Sequence, residues 1–186
     1  MSHWSDLSSA DEKEVYRLVR LYLREARRCC EAKVYLAGCV MAGAAVEAML
    51  FAMLSAFGDE LPASALPDGK PKPILKWTLA EMLHAAHEVG WLPAGLDPTV
   101  VQWDHRRAMI GDHVLVLKDI RNLVHAARYI KDHSRKRITK KYAAHCLDVF
   151  EEARQHLEGI ANDAIREAMA KADESEDDEE RGGFYP

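Results

Sequence analysis

The chain has 186 residues, 48% of them hydrophobic, with 25 Lys and Arg, 30 Asp and Glu, nine His and four Cys. That is enough for one domain with a proper core and a tail, and too apolar for a chain that stays unfolded throughout. The formal charge of −5 misleads, because residues 173–180 hold seven acids and no base, and removing 173–186 leaves 24 bases against 23 acids.

The apolar pattern predicts a first helix over about 10–33. Ser9 with Glu12 makes a capping box, and Val15, Leu18, Val19, Tyr22, Ala26, Cys29 and Cys30 make an apolar stripe. Arg17, Arg20, Arg24, Arg27 and Arg28 form a second stripe, read as a solvated face that Glu14, Glu25 and Glu31 partly compensate. A second helix covers 34–57 and is nearly all apolar. Its length would allow a membrane span. It is rich in Ala and Gly, however, and Glu47 inside it would cost about 2–3 kcal/mol on insertion scales. A central helix surrounded by amphipathic ones fits better, so no membrane is expected. Gly38 and Gly43 in this helix are read as points of close helix approach.

Residues 58–73 form a loop punctuated by Pro62, Pro67, Pro71 and Pro73. A third helix follows over 74–89, with Leu75, Leu79, Met82, Leu83 and Ala86 inward and Gly90 ending it. After a second loop at 91–98, a fourth helix spans about 99–131, with a break near Gly111. The fifth starts after Thr139 as N-cap and runs to about 171, on a seam of Ala143, Cys146, Phe150, Ala153, Leu157, Ile160, Ala164 and Ala168. His145 and His156 lie off that seam and read as surface residues. No strand-like alternation appears. The predicted architecture is all-α: a single bundle of about five helices over 1–171, then a disordered acidic tail over 172–186.

Residues 118–133 carry the chemistry. Arg121, Asn122 and His125 fall inside an apolar-periodic stretch made by Leu117, Ile120, Leu123, Val124 and Ala127. On a continuous helix Arg121 and His125 share a face, with Asn122 three residues from His125. A permanent cation beside a group that titrates near neutral pH suits phosphate chemistry, the Arg holding oxygens and the His moving protons. Residues 118–141 hold nine bases and two acids. Lys118, Arg128, Lys131, Arg135, Lys136, Arg137, Lys140 and Lys141 make a basic footprint suited to phosphate groups. The acidic tail is placed to compete with nucleic acid for them. Glu47 needs a cation, and Arg121, Arg128 or His125 are the natural candidates.

Other constellations are weaker. His84 and His87 stand three apart beside Glu88, not in the order of a zinc hydrolase, and nothing in the spacing requires His105 or His113 as a third ligand. No metal and no cofactor are expected. Cys29, Cys30, Cys39 and Cys146 lack metal-ligand spacing, and no signal peptide is read at the N-terminus. A reduced, cytoplasmic protein with structural thiols follows as the expectation.

The Ala/Gly-rich second helix ending Ala-Ala-Val-Glu-Ala-Met-Leu, with the later Ile-Arg-Asn-Leu-Val-His, resembles the HEPN superfamily over about residues 10–168. These are small helical domains of prokaryotic defence, toxin–antitoxin and RNA-processing systems. The resemblance implies a metal-independent endoribonuclease that dimerises, two Arg and two His meeting in a shared cleft. In that pattern His125 would act on the ribose 2′-hydroxyl or the leaving oxygen, Arg121 would hold the scissile phosphate, and Asn122 would orient its neighbours. The position matching the longer spacing usual in the family is Lys118. The implied partners are a second copy, RNA, and an antitoxin or nucleotidyltransferase-like protein. Many HEPN-like domains act instead as accessory modules, so a non-catalytic dimerising module that binds a nucleotide or a protein is the alternative.

Overall fold

The computed structural model describes residues 8–58, 61–70, 72–95, 109–133 and 138–182. Among them every regular element is helical. The first is α1 (Ser9–Glu31), which starts one residue away from the expected capping box. Ser8 is the N-cap: its hydroxyl accepts from the Asp11 N–H, and the Asp11 carboxylate accepts from the Ser8 N–H at 3.0 Å. Both serines fit a cap by sequence. The structure forms the box at Ser8 with Asp11, one residue before the pair expected.

The turn into α2 (Tyr35–Phe57) is a Schellman motif. Val34 donates to the Cys29 carbonyl at 2.8 Å and Lys33 to the Cys30 carbonyl at 3.0 Å. Lys33 adopts φ 63°, a left-handed conformation usually given to Gly. The tight turn lays α2 back along α1. Helix α2 then packs against α1, against α3 (Leu79–Glu88), against α4 (Ile110–Arg121) and against α6 (Lys140–Gly182). It is long and apolar enough to cross a membrane by length and composition alone. Here its Cys39, Ala42, Ala45, Leu50 and Leu54 are enclosed by the other helices. The apolar character is that of a central core helix.

Two glycines make that centrality work. A Cβ at Gly38 would lie 2.6 Å from the Cys30 sulfur and 3.2 Å from the Ala26 carbonyl, so α1 could not approach as it does. A Cβ at Gly43 would lie 2.7 Å from the Arg121 Cβ, so the same holds for α4. Gly38 and Gly43 are therefore points of close helix contact, as expected.

The third helix begins later than its apolar pattern indicates. Residues Ile74–Lys76 make one 3-10 turn, and α3 starts only after Thr78, whose hydroxyl and Glu81 form a capping box. Leu75 consequently points outward and is 65% exposed, while Ile74 and Trp77 take the buried places. Gly90 ends α3 with φ 75°, as predicted. Thr139 caps α6: its hydroxyl accepts from the Tyr142 N–H and its carbonyl from the Ala143 N–H. The α6 seam is buried from Ala143 through Leu157, half-buried at Ile160 and Ala164, and exposed by Ala168. Its helical backbone continues past 171 to Gly182, across the acid-rich stretch expected to be a disordered tail. Glu and Ala are good helix formers, and no Pro or Gly falls between Lys171 and Gly182.

Candidate functional site

Leu117, Ile120 and Leu123 are buried in the core and hold the last turn of α4 against α2. That placement carries Arg121 over Gly43, one helical turn from Glu47 on α2. The Arg121 guanidinium forms an ion pair with the Glu47 carboxylate, its side chain 33% exposed and that of Glu47 27%. The carboxyl of Glu47 is held above its usual range, because burial disfavours the charged form more than Arg121 supports it. Of the three cations proposed for Glu47, the fold selects Arg121.

The helix stops there. Asn122 caps α4 and opens a 3-10 turn to Val124, and His125 has extended dihedrals (φ −86°, ψ 115°). A single α turn, α5 (Ala126–Arg128), follows, then a π turn over Tyr129–His133. The expectation that Arg121 and His125 share the face of one continuous helix is therefore overturned. The cause is local. Asn favours helix ends, because its side chain competes for backbone groups, and β-branched Val124 adds little to hold the helix. Leu123 is held inside, while the chain beyond it turns outward.

Val124 (60% exposed) and Ala127 were expected on the apolar face and are exposed instead. His125, Ala126, Arg128, Ile130 (68% exposed) and Lys131 complete an open segment. The half-buried Tyr129 and Ile138 pack back against the core beyond it. Asn122 is half-buried, and Lys140 and Lys141 are exposed at the start of α6. Arg135, Lys136 and Arg137 lie outside the described residues. Lys118 sits apart from the open segment: its side chain is only 25% exposed and lines the cleft between α3 and α4. The structure thus brings Arg121 and Glu47 together, sets His125, Arg128 and Lys131 along one uncovered run, and directs Lys118 elsewhere.

Three further groups carry weak sequence signals. Asp112 on α4 is fully buried, and its carboxylate accepts from the Met109 N–H at 2.8 Å and the Gly95 N–H at 3.2 Å. It ties the loop before α4 to the helix; an acid at N3 was the available clue. His145 is not on the surface, as expected, but half-buried, its ring edge-on to His113 with centroids 6.1 Å apart. Burial and the neighbouring His145 hold the His113 ring below its usual value. Cys39 and Cys146 meet between α2 and α6, and Cys39 together with burial pushes the Cys146 thiol far above its usual range. Such a thiol is inert at neutral pH.

His84 and His87 each place Nε2 near a backbone carbonyl, Ser64 at 3.1 Å and Ala94 at 3.2 Å. Among the described residues no group of three or more His, Cys, Asp or Glu could hold a metal ion. His105 lies outside the described residues. No family model matches the chain, and neither a curated protein nor a solved structure matches it.

Proposed function

We propose that the chain is an HEPN-like RNA-interacting protein that binds the phosphate backbone along the uncovered run after α4. The observation that carries this reading is the helix break itself. It presents His125, Arg128 and Lys131 outward, interleaved with exposed Val124 and Ile130, and leads into exposed Lys140 and Lys141. Bases among uncovered apolar side chains suit a ligand with both phosphates and flat bases. In the enzymatic form of this reading, His125 is the proton-transfer group of a metal-independent endoribonuclease and Arg121 its phosphate ligand, with Asn122 beside them. A second copy meeting at the same run supplies the other His and Arg. The resemblance also makes an antitoxin or nucleotidyltransferase-like protein the partner to look for.

One observation favours a second reading, a non-catalytic dimerising module for a nucleotide or a protein partner. The guanidinium of Arg121 is already held by Glu47, and the break removes His125 from its register. The test is cleavage of a labelled single-stranded RNA in EDTA, with His125→Ala alongside. The enzyme is supported by cleavage that leaves a cyclic phosphate and falls by about 10²–10⁴-fold in the variant. Binding without cleavage, with log affinity falling by about 0.7 per neutralised phosphate per decade of salt, supports RNA interaction without the enzyme. Neither binding nor cleavage overturns the RNA reading.

A further inference from the structure

Helix α6 outruns the bundle. Cys39 of α2 meets Cys146 of α6, and α1 brings Cys30 near Cys146 and Arg27 near Glu151. Rising numbers on α6 therefore match falling numbers on α1 and rising numbers on α2. Counted along the helices from these contacts, Phe57 at the end of α2 is level with about residue 164, and Ser9 at the start of α1 with about residue 169. The apolar period of α6 does not stop there. Ala164 is half-buried, and Ile165 (52% exposed), Ala168 and Met169 (64% exposed) continue it on a helix that runs on to Gly182.

The charges of α1 and α6 are complementary but held apart. Helix α1 exposes Arg17, Arg20 and Arg24. Arg17 pairs with Glu14, and Arg24 lies 3.7 Å from Glu25, surface pairs that contribute little. Residues 173–180 hold seven acids. Arg17 is level with about residue 161, so within one copy residue 173 lies about 18 Å farther along α6, beyond a screening length of about 8 Å. A second copy closes that gap. With two α6 helices antiparallel and Ile165 of each against Met169 of the other, residue 173 falls opposite residue 161 of the second copy, and 180 opposite 154. Those positions are level with about Arg17 and Arg24. A parallel pair would instead set the two acid-rich segments side by side, which like charge opposes.

We propose that the end of α6 docks a second copy of this chain, antiparallel across Ile165 and Met169, with the acid-rich segment 173–180 of each copy along Arg17, Arg20 and Arg24 of the other. The surface lies about 38 Å along α6 from Lys140, so it is separate from the run that carries His125 and does not depend on RNA binding.

Sedimentation equilibrium of the full-length protein tests this. A dimer is expected at tens of micromolar in low salt, weakened about ten-fold or more near 1 M salt, where charges are screened within about 3 Å. Ile165→Glu with Met169→Glu should be monomeric, with an unchanged thermal transition because both side chains are exposed. Arg17→Glu, Arg20→Glu and Arg24→Glu together should weaken the dimer about ten-fold or more at low salt, as should deletion of 173–186. Combined, they should weaken it little further, because both remove one contact. A monomer at tens of micromolar overturns the proposal and leaves the face to a different protein. A dimer that survives Ile165→Glu with Met169→Glu overturns it by placing the contact elsewhere, as at the His125 run. A dimer indifferent to the arginine reversal and to the deletion also overturns it.

Discussion

Removing either member of the Arg121–Glu47 pair should cost unequal amounts, and the structure gives the direction. Arg121→Ala leaves the Glu47 carboxylate partly buried without its cation. Breaking a fully buried pair in this way costs about 3–5 kcal/mol, and exposed pairs contribute about 0–1 kcal/mol. With side chains 33% and 27% exposed, an intermediate loss of about 2 kcal/mol is expected, a fall in Tm of about 4–8 °C for a chain of this size. Glu47→Gln keeps the shape and removes the charge. Burial already disfavours the ionised form of Glu47 more than Arg121 supports it, so the neutral amide should cost under about 1 kcal/mol.

The pH dependence follows from the same shift. A carboxyl raised above its usual 4.5 in the fold binds its proton more tightly folded than unfolded. The associated stability is present at low pH and lost as pH rises through the folded-state value. In Arg121→Ala the supporting cation is gone and the shift grows, so the stability gap to the unmodified protein should narrow from pH 7 to pH 5. Urea denaturation of both variants and of the double variant at the two pH values measures this. A Glu47→Gln loss larger than that of Arg121→Ala, or a gap that widens on acidification, would refute the reasoning.

Other substitutions probe the frame around the site. Lys33→Gly should stabilise by about 0.5–1 kcal/mol by thermal denaturation, since Lys33 holds a left-handed φ of 63°. Gly43→Ala should cost about 1–3 kcal/mol, because its methyl meets the rigid Cβ of Arg121 at 2.7 Å. Asp112→Ala strips the buried acceptor from two backbone N–H groups and should cost about 2–3 kcal/mol, read from the urea midpoint. Deleting 173–186 should change RNA affinity less than two-fold at physiological salt. Along α6 the acids begin about 50 Å from Lys140 at 1.5 Å per residue, well beyond a screening length of about 8 Å. A large tightening in fluorescence anisotropy would show that the acids reach the basic run.

Much of this architecture is legible in the sequence because it rests on long periods. The Ala/Gly run of α2 announces a helix approached on several sides, and a lone Glu47 within it demands a cation, which Arg121 supplies. The Thr139 cap and the Gly90 stop are local chemistry that no distant contact overrides. What escaped depends on which of two similar residues is chosen, or on the far end of a contact. Ser8 and Ser9 are both fit to cap. Leu75 and Trp77 are both apolar, and a 3-10 turn decides which is buried. His145 on α6 faces His113 on α4, 32 positions earlier, a distance no spacing rule detects. The break at Asn122–His125 was hidden because buried Leu117, Ile120 and Leu123 keep helical spacing up to it.

That break divides the candidate site into two mechanical parts. Arg121 belongs to the bundle: Leu117 and Ile120 bury its helix, Gly43 admits it, and Glu47 holds its charge. His125 belongs to a bridge suspended between the buried Leu123 and the core-packed Tyr129, with none of Val124 through Arg128 buried. A core histidine would take part in packing. His125 does not, and its imidazole is open to whatever docks on the bridge. Arg121 is paired with Glu47 within the bundle, without any RNA. Under the proposed RNA reading, His125 and its exposed basic neighbours are the groups open to a phosphate, and Arg121 would engage one only where it competes with Glu47.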